Sequence, residues 1–243
     1  MACTETIIVR CPDCNSEDIK RNGKSKTYRQ RYLCKRCYRS FQTTYHYRGW
    51  KPDVRSFVVP MTMRNSGIRD IEDVLGIHRD TVMATLKRAA DKVSSRQIAP
   101  PSSTPPQEVN VAELDEFWSF VGSKKHQRWT WYAWDAKKRC ILAYHNGRRT
   151  DASCKALCKE LFAHYDIRRY NTDDWQSYRK VLPPKKHRIS KKGTQRIERQ
   201  NLNFRTHLKR LNRRTICFSK SETMHDAVIK LYIYSTNTRK QHF

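Results

Sequence analysis

Three observations predict an α+β protein fronted by a small metal-bound module. Four cysteines fall in two C-x2-C pairs, and a helical stretch breaks at one glycine. In the C-terminal half, three strand-like runs precede a helix, another strand and closing helices. The order predicted is a zinc ribbon over 1–48, a helix-turn-helix over 53–94, a linker over 95–108 and an α+β domain over 109–243. At 243 residues the chain is long enough to bury real cores.

Charge narrows the partners. Fifty lysines and arginines against 23 acids give a formal charge of +27, and the pI is near 10.0. Repulsion on that scale favours a protein that sits on a polyanion, and DNA is the expected partner. Hydrophobic residues at 37%, with 11% aromatics, exclude a wholly disordered basic protein. Apolar runs are too short for a membrane span, and MACTETIIVRC lacks the order of an export signal. The expected location is therefore the cytoplasm, in association with the nucleoid.

The zinc ribbon rests on Cys11, Cys14, Cys34 and Cys37, with nineteen residues between the pairs. Each C-x2-C turn presents two thiolates to one ion, and two turns complete a tetrahedron with no open position. The Zn²⁺ expected here is structural. Lysines, arginines and tyrosines interleave the knuckles, a composition suited to phosphates and exposed bases.

The next segment, NSGIRDIEDVLGIHRDTVMATLKRA, carries Ile68, Ile71 and Val74 on one stripe. Gly76 makes the turn, and Val82, Leu86 and Ala89 form the second stripe. Two helices joined at a glycine form the helix-turn-helix pattern, with Arg79, Asp80, Thr81 and Lys87 facing DNA from the second. Residues 96–108, RQIAPPSSTPPQE, hold four of the nine prolines and read as the linker.

In the last domain, residues 111–122, 128–137 and 139–147 read as an antiparallel meander. Residues 151–165 place Cys154, Leu157, Cys158, Leu161 and Phe162 at helical spacing, so both cysteines belong to a core. A strand follows at 167–173 and a short one at 186–190. Helices are expected at 194–212, on the stripe Ile197, Phe204, Leu208 and Leu211, and at 221–235. Trp118, Trp129, Trp131 and Trp134 are assigned to the sheet's core, with one able to stack on an unpaired base.

The chemistry turns on acids in basic surroundings. Between Trp175 and Ser221 there are fifteen lysines and arginines and one acid, Glu198. Asp115 interrupts an apolar strand, flanked by Glu113 and Glu116, and Asp173 ends the fourth strand. Three carboxylates from two strands and a late helix can hold Mg²⁺ (or Mn²⁺) for phosphoryl transfer. Asp135 is the reserve acid, and His225 reads as structural.

AELDEFW, NTDDW and SKKGTQRIERQNLNFRTHLKRLNRRTICFSKS resemble the transposases of the insertion sequence 1 family. The likeness covers nearly the whole chain, and TQRIERQNLNFR is its most specific piece. It implies a DDE transposase with a ribonuclease-H-like (α/β/α) catalytic domain. The implied triad is Asp115, Asp173 and Glu198, with Arg205 in support and Arg205 and Lys209 on DNA. Where family members commonly read TDGW this chain has Asp173-Asp174, so the second ligand stays open between the two. Many members divide these parts between overlapping reading frames, whereas this chain is continuous. The implied activity is Mg-dependent cleavage and strand transfer at an element's terminal inverted repeats, by a homo-oligomer on DNA. The alternative is a non-catalytic regulator, which has no need of the carboxylate-bearing second domain.

Overall fold

The computed structural model describes residues 8–45, 47–93, 106–212 and 214–238. The chain divides into two compact units, 1–48 and 49–243.

The first unit is a three-stranded antiparallel sheet, β1 (Ile19–Lys24), β2 (Gln30–Cys34) and β3 (Ser40–Phe41). Its knuckles share one construction. The amide of Cys11 donates to the carbonyl of Ser16, and that of Cys34 to the carbonyl of Arg39. Asn15 and Tyr38, each directly after the second cysteine, take positive φ. That left-handed residue turns the chain back so that both sulfurs face inward. Only Cys11, Cys34 and Phe41 are buried apolar residues here among those described.

The second unit begins with four helices, α1 (Pro52–Ser56), α2 (Val58–Thr62), α3 (Ile68–Leu75) and α4 (Arg79–Lys92). Gly76 ends α3 in the left-handed conformation at φ 62°, and its amide returns to the Glu72 carbonyl. Ile71 is buried, but Val74 is 67% exposed and Leu75 packs inward in its place. An i, i+4 step from Ile71 reaches the core more squarely than i, i+3 in so short a helix.

A five-stranded mixed sheet follows, in the order β6-β5-β4-β7-β8. The strands are β4 (Gln107–Val121), β5 (Ser123–Asp135), β6 (Cys140–Gly147), β7 (Tyr165–Thr172) and β8 (His187–Ile189). β4 to β6 form the expected antiparallel meander, while β7 and β8 add parallel to the other edge of β4. Of the linker span, 94–105 lie outside the described residues, and Gln107 and Glu108 already belong to β4.

Helices cover both faces. α5 (Asp151–His164) and α6 (Gln176–Val181) lie over one, on a core that contains Cys154, Leu157, Cys158, Trp131 and Tyr178. α7 (Gln195–His207) and α8 (Glu222–Thr238) lie over the other. α7 stops short of the expected 212. Leu208 is extended and a 3-10 turn spans Lys209–Leu211, which lets Leu208 and Leu211 both enter the core. α6 was not expected, because six residues cannot show a helical period and Tyr178 is its one aromatic anchor.

The sequence separates 53–94 from 109–243, yet in the structure they share one core. Val82, Leu86 and Ala90 of α4 pack with Val228, Ile229 and Tyr232 of α8 and with Phe204 of α7. An apolar helix stripe needs a partner, and α4 finds it in the last helix of the chain. No helix among the described residues is long and apolar enough to cross a membrane.

Candidate active site

Side chains alternate along β4, so Glu113, Asp115 and Phe117 face α7 while Glu116 faces α6. The parallel register pairs Glu113 with Asn171. Two residues further along, Asp115 comes level with Asp173, just beyond the end of β7.

Burial, followed by the charges of Glu116 and Asp173, pushes the Asp115 carboxyl up to about 7. Asn201 of α7 donates to Asp115 Oδ2 at 2.6 Å. The Tyr132 hydroxyl fixes that amide's orientation, since it donates to Asn201 Oδ1 at 2.7 Å and leaves the NH2 for the aspartate. Tyr132 is also the cross-strand neighbour of Asp115.

Asp173 is exposed, and its Oδ1 accepts the Trp175 amide at 3.1 Å. Asp174 turns to an ion pair with Arg179. Glu198 lies in the first turn of α7, exposed, with the Thr194 hydroxyl at 3.3 Å from its Oε1. It stands one turn before Asn201 and close enough to raise the buried Glu113 carboxyl, whose main cause of elevation is burial. Glu113 accepts the Ile197 amide at 2.9 Å and so satisfies one open donor at the start of α7.

Asp115, Asp173 and Glu198 are not drawn into a closed ligand shell. Among the described residues, only the four cysteines bring three or more ligand atoms within 4.8 Å of one another.

That cysteine cluster has the dimensions of a zinc site. The Cys11–Cys37 and Cys14–Cys34 sulfurs are 3.5 Å apart. A tetrahedron with Zn–S bonds of ~2.3 Å has edges of ~3.8 Å. Backbone amides hold two of the thiols down: that of Cys14 acts chiefly on Cys11, and that of Cys37 brings Cys34 to about 7.

Several residues around the carboxylates were not foreseen. Asn201 is one, three positions after Glu198 in the most specific sequence segment. Arg149 is another: it donates to Glu116 Oε1 at 2.8 and 3.0 Å and stacks on Trp175 at 3.6 Å and Trp129 at 4.7 Å. Tyr178 donates to the second Glu116 oxygen at 2.7 Å. This clamp joins the residue after Asp115 to the residue two after Asp173. No short-range pattern in the sequence marks Arg149.

The remaining candidates are placed as follows. Arg205 reaches the Leu211 and Trp118 carbonyls and lies 5.9 Å from the Phe117 ring. Lys209 is paired with Asp70 of α3. Arg79, Asp80 and Lys87 are exposed on α4, and Thr81 is half-buried in its first turn. Asp135 is buried and accepts the amides of Lys137 and Lys138, so it holds the β5–β6 turn. His225 is buried between the Ser119 and Ser219 hydroxyls at 3.1 and 2.9 Å. Trp131 and Trp134 lie in the core as expected, but Trp118 is 39% exposed.

Comparison with known proteins adds the following. A family profile described as IS1 transposase matches residues 109–239, and one described as InsA N-terminal domain matches residues 1–38. The insertion element iso-IS1n protein InsB of Shigella dysenteriae is 50% identical over 123 residues, 51% of this chain and 93% of that protein. The insertion element IS1 9 protein InsB of Escherichia coli (strain K12) is 43% identical over 148 residues, 59% of this chain and 88% of its own length. The insertion element IS1 protein InsB of Haemophilus ducreyi matches to the same extent.

Proposed function

Since this chain belongs to the IS1 transposase family, we propose that it binds the terminal inverted repeats of its element, hydrolyses a phosphodiester there and joins the freed 3′-OH to target DNA. The observation that carries this reading is the parallel β4–β7 register, which sets Asp115 beside Asp173 at the end of neighbouring strands. The order β6-β5-β4-β7-β8, with only β5 antiparallel to its neighbours, supports a ribonuclease-H-like core.

The donor set suits a hard divalent ion, because it consists of carboxylates alone. Asp115, Asp173 and Glu198 would hold Mg²⁺ or Mn²⁺, which when bound would activate a nucleophile and stabilise a leaving oxygen. The chain's own contribution is orientation. Asn201 fixes the Asp115 carboxylate, the Trp175 amide fixes Asp173, and the Arg149–Glu116–Tyr178 clamp holds both strand ends. Asp174 serves Arg179, which favours Asp173 as the second ligand.

The exposed face of α4, with Arg79, Asp80, Thr81 and Lys87, is the proposed helix-turn-helix surface on DNA. Its apolar face is already spent on α8. Arg205 and Lys209 border the DNA path, the latter through its pair with Asp70. An element has two ends, so the active species is a homo-oligomer on DNA.

The test is cleavage and joining of a plasmid that carries the terminal repeats, with and without Mg²⁺. Asp115→Asn, Asp173→Asn and Glu198→Gln should each abolish both steps while DNA binding persists. Asp174→Asn and Asp135→Asn should retain activity in part. Asn201→Ala should lower the rate by roughly 10–100-fold, as loss of a ligand's supporting hydrogen bond does. Cleavage by all three triad variants would overturn the reading.

A further inference from the structure

A cavity of about 360 Å³ opens away from the carboxylates, between the end of β4 and the end of α7. Trp118 and Phe120 line it from β4, Lys124 from the start of β5, and Arg205 and Arg210 from α7 and the turn that follows. Its size is at the lower end of the ~300–1,000 Å³ of small-ligand sites, which admits one nucleotide and excludes a base pair.

Its walls are charged in an unusual way. Arg210 is largely buried, and its guanidinium donates to the Ser219 hydroxyl at 3.2 Å and the Met224 carbonyl at 3.3 Å, both neutral. Among the described residues, no carboxylate pairs with Arg210 or Lys124. A desolvated cation without a counter-ion is costly, and an anionic ligand would offset that cost. Trp118 adds an indole that the β4 sequence would place in a core but the structure leaves 39% exposed.

Position supplies the rest. Trp118 is three residues beyond Asp115 on β4, and Arg205 is seven beyond Glu198 on α7. At strand and helix rises, both steps amount to about 10 Å. That is roughly three base steps of ~3.4 Å along a DNA strand.

We propose that this cavity receives one unpaired nucleotide of the DNA strand bound at the carboxylates, its base against Trp118 and its phosphate on Arg210 and Lys124. The inference rests on the transposase reading for the strand's identity. A ring face is reachable only once a base leaves the duplex stack, so the occupant is unpaired.

The test uses the full zinc-loaded chain and fluorescently labelled duplexes of one sequence, blunt or with a three-nucleotide single-stranded tail. Wild type should bind the tailed duplex more tightly. Trp118→Ala, at an exposed position, should weaken tailed binding by about tenfold, the loss of one stacked base, and change blunt binding less than twofold. A tail with abasic sugars should remove the effect of Trp118→Ala but keep that of Lys124→Ala. Equal affinity of wild type for both duplexes, or equal weakening of both by Trp118→Ala, overturns the proposal. Asp115→Asn separates this inference from the transposase reading. Tail preference in a protein that never cleaves leaves the cavity and removes the transposase, whereas cleavage without tail preference does the reverse.

Discussion

The two units of this chain are held together by different means. Residues 1–48 bury three apolar side chains among those described, two of them zinc-site cysteines. Residues 49–243 close two extended cores, one on each face of a five-stranded sheet. A ribbon with so little apolar burial cannot offset its own chain entropy, so the ion must supply the folding free energy. In the second unit metal is proposed for chemistry alone, and hydrocarbon packing supports the carboxylates.

The sharpest way to break that contrast is to take the zinc away. Chelation, or Cys34→Ser, should unfold residues 1–48 completely, since structural zinc contributes on the order of 10–16 kcal/mol. The melting of residues 49–243 should hardly change. Calorimetry of the full chain checks this, and loss of both transitions together would erase the distinction.

The converse experiment truncates the aromatic hub. Phe204 packs on Phe117, Tyr132 and Tyr232 at ring distances of 4.9, 5.5 and 4.6 Å. Phe204→Ala should cost ~3–5 kcal/mol in the second unit, and zinc content should remain one per chain.

Acid should also act on the second unit through His225. Burial, then the charges of Arg210 and Arg128, lower its pKa from 6.5 to about 3. Above pH 6.5 the ring is neutral in both folded and unfolded chains and contributes nothing to pH dependence. As pH falls from 6.5 toward 3, the unfolded chain takes up a proton that the folded one refuses. Stability is then lost at up to ~1.4 kcal/mol per pH unit. Urea midpoints between pH 7 and 4 should fall less steeply for His225→Gln than for wild type.

The smallest effect belongs to the turn at Gly76, whose φ of 62° suits glycine. Gly76→Ala should cost roughly 1–2 kcal/mol, visible as a lower melting temperature of the second unit alone.

Features encoded at short range were legible in the sequence. Two C-x2-C turns name their ligands by spacing, and Asp115 stood out because an acid is out of place in an apolar strand. Glu198 stood out as the one acid among fifteen cations. What the sequence hid depends on contacts between distant elements. Asn201 matters only because Tyr132, 69 residues earlier, sets its amide. Arg149 matters because it meets Glu116 and Trp175 from a third element. The shared core of α4 and α8 was hidden for the same reason, since each stripe is visible but its partner is not.

That last packing has a consequence for the order of events during synthesis. α4 ends at Lys92 and α8 begins at Glu222, some 130 residues later. At ~5–20 residues per second, the stripe of Val82, Leu86 and Ala90 leaves the ribosome roughly 7–26 seconds before its cover is made. Through that interval the nascent chain presents an uncovered apolar helix face, a natural resting place for a chaperone.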